Sequence, residues 1–204
     1  MLPGAELDRG VRRRDIVPHA RLDEEAWLKK LAVLVLLLGG GMVAAAAQRI
    51  FTNPNQDVNL RRLFPMAAAF SPLAGEPLHF TAFATDPRTS PAAPPLGYAF
   101  WTTDMVPNEH GYHGPIYILV GMDLTGTLTG AIVDYDSEPY GYFSVEPPKF
   151  GAQFKGKSIR DPFRVGGDVD AVSRASISIN SAARAIRESS RTVARQLLPQ
   201  DAVK

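Results

Sequence analysis

The sequence predicts an α+β fold, in which a single N-terminal transmembrane helix is followed by a domain with a small antiparallel or mixed sheet and flanking helices. Three observations predict this fold. An apolar run occupies residues 31–47, strand-like runs follow between residues 79 and 135, and a helical period appears from Asn180 onward. Because 17 glycines and 17 prolines occur in 204 residues, a helical bundle is disfavoured.

Composition excludes several classes of site. The chain contains no cysteine, which excludes disulfides, thiolate zinc sites, cysteine-ligated iron–sulfur clusters and cysteine nucleophiles. Its formal net charge is +1, so the charge balance gives no indication of nucleic-acid binding.

The apolar run at residues 31–47 predicts a membrane span. It contains no charged or polar side chain and is roughly 25 Å long as a helix, slightly less than the ~30 Å hydrocarbon core. Apolar residues on both sides extend it, so the predicted transmembrane helix covers residues 29–51. The alternative is a cleaved signal peptide, with four alanines ahead of Gln48. About thirty residues precede the run, which favours a retained helix because signal peptides have a short N-terminal region.

The distribution of positive charge predicts the orientation of this helix. Seven Lys and Arg residues precede the run, and three follow it within a comparable stretch. The positive-inside rule therefore predicts a cytoplasmic segment at residues 1–28 and an extracytoplasmic domain at residues 52–204. Because this domain has no cysteine, we expect a bacterial inner membrane with the domain in the periplasm.

Small residues within the run predict partners in the membrane. Gly40 and Ala44, and likewise Gly41 and Ala45, are spaced so that another helix can approach closely. This spacing predicts packing against other membrane-protein subunits, and the alternative is a lone helix in the lipid bilayer.

Strand signals dominate the first part of the outer domain. Residues 52–75 predict a short helix that breaks at Pro65. Residues 116–122 are apolar on both faces, as expected of a central strand, and residues 123–126 predict a turn into its partner strand. The predicted strands are residues 79–85, 97–103, 116–122 and 127–135.

The C-terminal segment predicts an amphipathic helix from Asn180. Its apolar stripe is expected to face the core, and its basic face is interpreted as solvated. The alternative for the basic face is a docking surface for anionic lipid or a partner. The stripe contains Ala182, Ile186, Val193 and Leu197, and the basic face contains Arg184, Arg187, Arg191 and Arg195.

The residues immediately before this helix are Asp170-Ala-Val-Ser-Arg-Ala-Ser176. Here the chain resembles the FMN-binding domain family, which includes the periplasmic domain of NosR-type membrane proteins and the flavin subunits of the Rnf and Nqr respiratory complexes. The family's motif is Asp-x-x-(Ser/Thr)-Gly-Ala-Thr. Asp170, Ser173 and Ala175 match this motif, whereas Arg174 replaces its glycine and Ser176 replaces its final threonine.

The resemblance extends over roughly residues 60–195. The segments that carry it follow one another in the order found in NosR-type domains. They are GYAFWTTDMVP (97–107), GYHGPIYILVGMDLTGTLTG (111–130), the pair Glu138-Pro139 and GGDVDAVSRAS (166–176). NosR-type proteins usually continue into further membrane helices and cysteine-ligated clusters, so the chain resembles their front module.

The resemblance implies FMN as the cofactor. The family's final motif residue carries FMN through a phosphoester bond, which implies attachment at Ser176. It also implies that Asp170 is the acidic residue that the attaching flavin transferase needs. The implied site residues are Asp170, Ser173, Arg174, Ala175 and Ser176 in the motif, and Tyr112, Gly114, Pro115, Ile116, Glu138, Pro139 and Tyr140 in two flanking loops.

The residue chemistry of the motif agrees with this implication. Ser176 supplies a hydroxyl, and it precedes a helix whose free backbone N–H groups favour phosphate. Arg174 is suited to a forked phosphate contact. Three alternatives remain open: covalent FMN, FMN bound without an ester, and a flavin-free domain. In the last, the serines simply cap the helix and the tyrosines pack beside turns.

His110 and His113 form a His-x-x-His pair in a glycine-rich loop. No third ligand is close in sequence, so we predict no metal site, and the spacing of residues predicts no catalytic group. Together these observations predict a membrane-anchored subunit that holds FMN in a larger membrane electron-transfer complex. The alternatives are a flavin-free accessory or assembly subunit and, third, a redox-sensing regulator.

Overall fold

The structure of the chain, a computed structural model, describes residues 56–203. The predicted cytoplasmic segment and the predicted transmembrane helix at residues 29–51 lie outside the described residues. Within residues 56–203, no helix combines the length and the apolar character that a membrane span requires. This part of the chain is an α+β domain, which confirms the predicted class of the outer domain.

Five strands form one antiparallel sheet in which each strand pairs with its neighbour along the chain. The four predicted strands correspond to the last four, and the short first strand was not predicted. The strands are β1 (Ala69–Phe70), β2 (Phe80–Phe83), β3 (Pro95–Trp101), β4 (Tyr117–Asp123) and β5 (Leu128–Tyr135).

The helices flank this sheet. Helix α1 ends at Leu63, two residues before Pro65, as the sequence predicts for a residue that cannot continue a helix. Two short helices and a 3₁₀ turn at Gly141–Phe143 were not predicted, and the first of them overlaps the end of the strand predicted at residues 97–103. The helices are α1 (Gln56–Leu63), α2 (Thr102–Met105), α3 (Pro148–Ala152), α4 (Ser176–Leu197) and α5 (Gln200–Val203).

Strand β4 is buried on both faces, as predicted. Ile118, Val120 and Met122 face the main core, which lies between the sheet and helices α3 and α4. Leu119 faces a second, smaller core, which helix α1 closes with Leu60 and its neighbours. The sheet is therefore covered on both sides, and this double cover explains why β4 is apolar at nearly every position.

Helix α4 begins at Ser176, four residues before the predicted start at Asn180. The sequence Ser-Ile-Ser-Ile at positions 176–179 alternates polar and apolar residues, which is the period of a strand. Packing decides otherwise, because Ile179 is fully buried in the main core and extends the helical stripe backwards. The predicted stripe is otherwise observed: Ala182, Ile186 and Val193 are buried and Leu197 is partly buried.

The arginine face of α4 is less solvated than the sequence predicts. Arg184 forms an ion pair with Glu109, with an N–O distance of 2.8 Å. The half-buried guanidinium of Arg191 donates hydrogen bonds of 2.9 and 3.0 Å to the carbonyl oxygens of Ile159 and Asp161. These contacts fix the loops around α4 and give much of this face a structural role.

Candidate functional site

A cleft of about 400 Å³ lies at the N-terminal end of α4. It is formed by three segments: the loop before β4, the loop after β5, and the chain leading into α4. Six of its eight lining residues are among those that the sequence assigns to the cofactor. The lining residues are Tyr112, Pro139, Tyr140, Arg174, Ala175, Ser176, Ile177 and Ser178.

The first turn of α4 presents unsatisfied donors to this cleft. Ala175 occupies the N-cap position, and no side-chain hydrogen bond caps the helix. The first backbone N–H groups of a helix have no acceptor within the helix, so they remain available to a bound anion. The interpretation in which serines merely cap the helix has no support here, since Ser176 and Ser178 lie inside it.

Ser176 is the first residue of α4, and its side chain is exposed in the cleft. Its backbone carbonyl oxygen accepts a 2.7 Å hydrogen bond from the side-chain amide of Asn180, which helps to fix the first helical turn. The Ser176 backbone is therefore held beside the helix N-terminus, where the dipole favours negative charge.

Arg174 has a left-handed backbone conformation, with φ of +68°. Glycine adopts this conformation without the steric cost that a Cβ imposes. This gives a conformational reason for the glycine in the family motif. The arginine is accommodated, and its side chain is exposed and lines the cleft.

Glu138 holds the walls of the cleft together from behind. Its carboxylate accepts backbone hydrogen bonds from Tyr112 at 2.9 Å and from His113 at 2.8 Å. It also accepts a short hydrogen bond from the hydroxyl of Ser178, in the first turn of α4. One buried carboxylate, 7% exposed, thus joins the loop before β4, the loop after β5 and helix α4.

The environment of Glu138 favours its ionised form. Burial by itself raises the pKa of this carboxyl. The hydrogen bonds from Ser178, His113, Tyr112 and Gly114 outweigh burial, and the pKa is lower than its usual value. Because its carboxylate accepts hydrogen bonds from these internal donors, Glu138 supports the cleft from inside the protein. It is not among the residues that line the cleft.

Large exposed side chains surround the mouth of the cleft. Tyr112 is 66% exposed, Ile177 56% and Tyr140 47%. The Tyr140 ring packs against Phe143 with ring centres 5.5 Å apart, so the aromatic rim has support from below. Exposed apolar groups beside a concave, partly polar surface are typical of ligand sites and suit a flat ring system.

Two further carboxylates, Asp136 and Glu146, lie close to Gly141, directly after Tyr140. Burial, with the charge of Glu138 as a smaller cause, raises the pKa of Asp136. Burial and the charge of Asp136 raise the pKa of Glu146. Their surroundings therefore oppose ionisation, in contrast to the surroundings of Glu138.

The other predicted site residues lie outside the cleft lining. Asp170 and Ser173 are exposed, and the backbone N–H of Asp170 donates a 2.7 Å hydrogen bond to Gln153. Gly114 and Pro115 are half-buried parts of the loop that Glu138 holds, and Ile116 is buried in the main core. Their assignment to the cofactor stays a prediction.

Ile177 and Ser178 line the cleft and were not predicted. Ile177 could have been found from the sequence, because it is an apolar residue directly after Ser176 that lies on the polar face of α4. No sequence signal pointed to Ser178, because its partner Glu138 is 40 residues away.

The histidine pair lies in the loop before β4. The Nδ1 atom of His113 lies 3.2 Å from the carbonyl oxygen of Ser137. Across residues 56–203 the structure contains no group of three or more His, Cys, Asp or Glu side chains placed to hold a metal ion.

Comparison with protein families gives a match that covers every residue lining the cleft. Residues 111–190 match the FMN-binding domain model, and all eight lining residues lie within this range. A search of curated proteins finds no match. The cleft fits the cofactor: its volume lies in the range of about 300–1,000 Å³ usual for ligand sites, and it combines a helix N-terminus, a guanidinium and an aromatic rim. Residues 111–190 therefore match the FMN-binding domain family, and this match supports FMN as the cofactor of the cleft.

Proposed function

We propose that the chain is a membrane-anchored subunit of a larger membrane electron-transfer complex, and that it holds FMN covalently at Ser176 for extracytoplasmic redox chemistry. The observation that carries this proposal is the exposed hydroxyl of Ser176 at the uncapped start of α4, inside a cleft that the FMN-binding domain match covers. Bound FMN supplies one- or two-electron transfer, and the protein's part is to bind, orient and shield it.

The residues of the cleft have separate parts in this proposal. The hydroxyl of Ser176 is the attachment atom, and the first turn of α4 supplies backbone donors to the phosphate. Tyr112 and Tyr140 form the sides against which the ring system packs. Glu138 belongs to the loop that carries Tyr140, and it accepts hydrogen bonds from the Tyr112 loop and from α4. It therefore holds the two tyrosine loops at a fixed separation.

The partner assignment follows from composition and from the predicted membrane span. The chain has no cysteine and so supplies no cysteine-ligated cluster of its own. Electrons that enter or leave the flavin must therefore be exchanged with another component. The small residues at positions 39–45 are suited to close packing against a helix of such a component.

Covalent attachment is tested by the mass of the chain. When the full chain is produced together with its flavin transferase, its intact mass is expected to exceed that of the polypeptide by FMN less one water. The denatured band is expected to fluoresce under ultraviolet light. Ser176→Ala should remove both signals because alanine has no oxygen to esterify, whereas Ser176→Thr should retain them.

The control for this experiment is Thr125→Ala, which removes an exposed hydroxyl in the turn between β4 and β5. This turn is at the opposite end of β4 from the Tyr112 loop. Thr125→Ala is expected to carry FMN like the unaltered chain. An unmodified mass for the unaltered chain would exclude the ester.

A second candidate function is a flavin-free accessory subunit of a membrane complex. The observation that favours it is the departure from the family motif at two positions, Arg174 for glycine and Ser176 for threonine. An unmodified chain that also lacks flavin absorbance in its native state would make this the preferred function.

The membrane anchor is tested by fractionation. We expect the chain to stay with membranes after high-salt and alkaline washing, because an apolar helix is held by the hydrocarbon core and not by charge. Protease added outside spheroplasts is expected to degrade residues 52–204. A soluble mature chain that begins near Gln48 would show instead that the apolar run is a signal peptide.

A further inference from the structure

Arg174 combines a strained backbone with an unengaged charge. A non-glycine residue at φ of +68° carries a steric cost, and such residues persist where the surroundings or a ligand compensate for it. Within residues 56–203 no hydrogen bond, ion pair or ring contact engages the Arg174 side chain. The strain is therefore not offset by a contact of this side chain inside the domain.

The position of Arg174 indicates that a ligand in the cleft compensates for the backbone strain. Among the eight residues that line the cleft, Arg174 is the charged one, and it lies two residues before the exposed hydroxyl of Ser176. Its guanidinium adds an exposed positive charge to the backbone donors at the start of α4. Guanidinium groups bind phosphate through two parallel, charge-assisted hydrogen bonds.

We propose that Arg174 is a specificity-determining residue that selects the phosphorylated flavin: its guanidinium binds the FMN phosphate and lets the cleft hold free FMN without an ester. This inference rests on the proposed location of FMN in this cleft. It differs from the family motif, whose glycine at this position has no side chain with which to bind a phosphate.

The proposal predicts opposite effects of one substitution on stability and on binding. Arg174→Gly relieves the left-handed strain, so the unfolding equilibrium constant of the flavin-free chain is expected to fall about 5- to 30-fold. The same change removes the guanidinium, so the dissociation constant for FMN is expected to rise about 10- to 100-fold. Riboflavin has no phosphate, and its dissociation constant is expected to stay the same.

The experiment uses the full-length chain in a Ser176→Ala background, so that no ester forms. FMN and riboflavin are titrated separately and binding is followed by quenching of flavin fluorescence. Arg174→Lys keeps the charge and the strained backbone, and is expected to retain part of the preference for FMN. Arg174→Asn tolerates the left-handed conformation without the charge, and is expected to bind FMN as weakly as Arg174→Gly.

Ionic strength gives a second measurement. Added salt should weaken FMN binding to the Arg174 chain and have little effect on the Arg174→Gly chain, because salt screens an exposed charge. Equal FMN affinity in both chains, or a parallel loss of riboflavin affinity, would overturn the proposal.

The outcomes also separate this proposal from the proposed function. If the intact mass shows FMN on the unaltered chain but the Ser176→Ala chain binds neither FMN nor riboflavin, covalent attachment is supported and selection by Arg174 is refuted. If the unaltered chain never acquires flavin and the Ser176→Ala chain binds none, both are refuted.

Discussion

Replacing Glu138 by glutamine is expected to destabilise the domain by about 2–3 kcal/mol at neutral pH, since buried donors that lose a charged acceptor keep their desolvation cost. The donors are the backbone N–H groups of Tyr112 and His113 and the hydroxyl of Ser178. Chemical denaturation of the unaltered and variant chains measures the difference. Amide hydrogen exchange should also become faster at Tyr112 or His113, because glutamine keeps one acceptor oxygen where the carboxylate has two, and one of these N–H groups then faces an NH₂ donor.

The pH dependence of this effect has a defined sign. The pKa of Glu138 is lower in the folded chain than in the unfolded chain, so its stabilisation is present above the unfolded value of about 4.3. It is lost as the pH falls through the folded pKa. The stability difference between the unaltered chain and Glu138→Gln should therefore shrink in acid.

Asp136→Asn is the matched control for this behaviour. The pKa of Asp136 is raised by burial and by the charge of Glu138, so its ionised form destabilises the fold. The amide keeps the oxygen that accepts a 2.9 Å hydrogen bond from the N–H of Glu138. Asp136→Asn is expected to stabilise the domain at neutral pH, and this gain should vanish in acid. A glutamine variant at position 138 as stable as the unaltered chain would show that Glu138 does not hold the cleft.

The second large effect is expected for Gly151→Ala in helix α3. A Cβ at this position would lie 2.1 Å from the backbone carbonyl oxygen of Ala131 in β5, and a backbone atom cannot rotate away. Relief requires α3 to move off the sheet and to take the buried rings of Phe150 and Phe154 with it. We expect a loss of about 2–3 kcal/mol, measured as a lower thermal midpoint.

Gly156→Ala separates crowding from backbone strain. No heavy atom lies within 4 Å of a Cβ at Gly156, but its φ is +82°. Its cost is therefore the conformational one alone, about 1 kcal/mol. If Gly151→Ala costs no more than Gly156→Ala, the close approach of α3 to β5 is not a constraint on the fold.

Strands could be predicted from the sequence where an apolar run is followed directly by residues typical of a turn. Strands β4 and β5 combine an apolar run, a turn at residues 123–126 and a returning strand, and they form the predicted antiparallel pair. The start of α4 was missed, because the alternation at positions 176–179 has the period of a strand and only packing of Ile179 reveals the helix. The short helix α2 was missed because residues 97–103 continue a β-rich run into it.

The cleft was predicted in part because its motif residues are contiguous in sequence. The resemblance indicated Arg174, Ala175 and Ser176, and the structure brings them together with Tyr112 and Tyr140. The role of Glu138 was not predictable, since its partners are backbone N–H groups 25 and 26 residues earlier and a hydroxyl 40 residues later. Sequence pattern alone does not specify which distant backbone donors a carboxylate will meet.

The order in which neighbouring strands pair has a consequence for how the domain folds. Each strand of the sheet joins the strand next to it along the chain, so the sheet closes short loops at a small entropic cost. Helix α4 makes contacts over much longer separations, such as Arg184 with Glu109, 75 residues apart. We therefore expect the sheet to form first and α4 to dock late. On this expectation the cleft forms only when α4 has docked, so flavin is loaded onto chains that have completed folding.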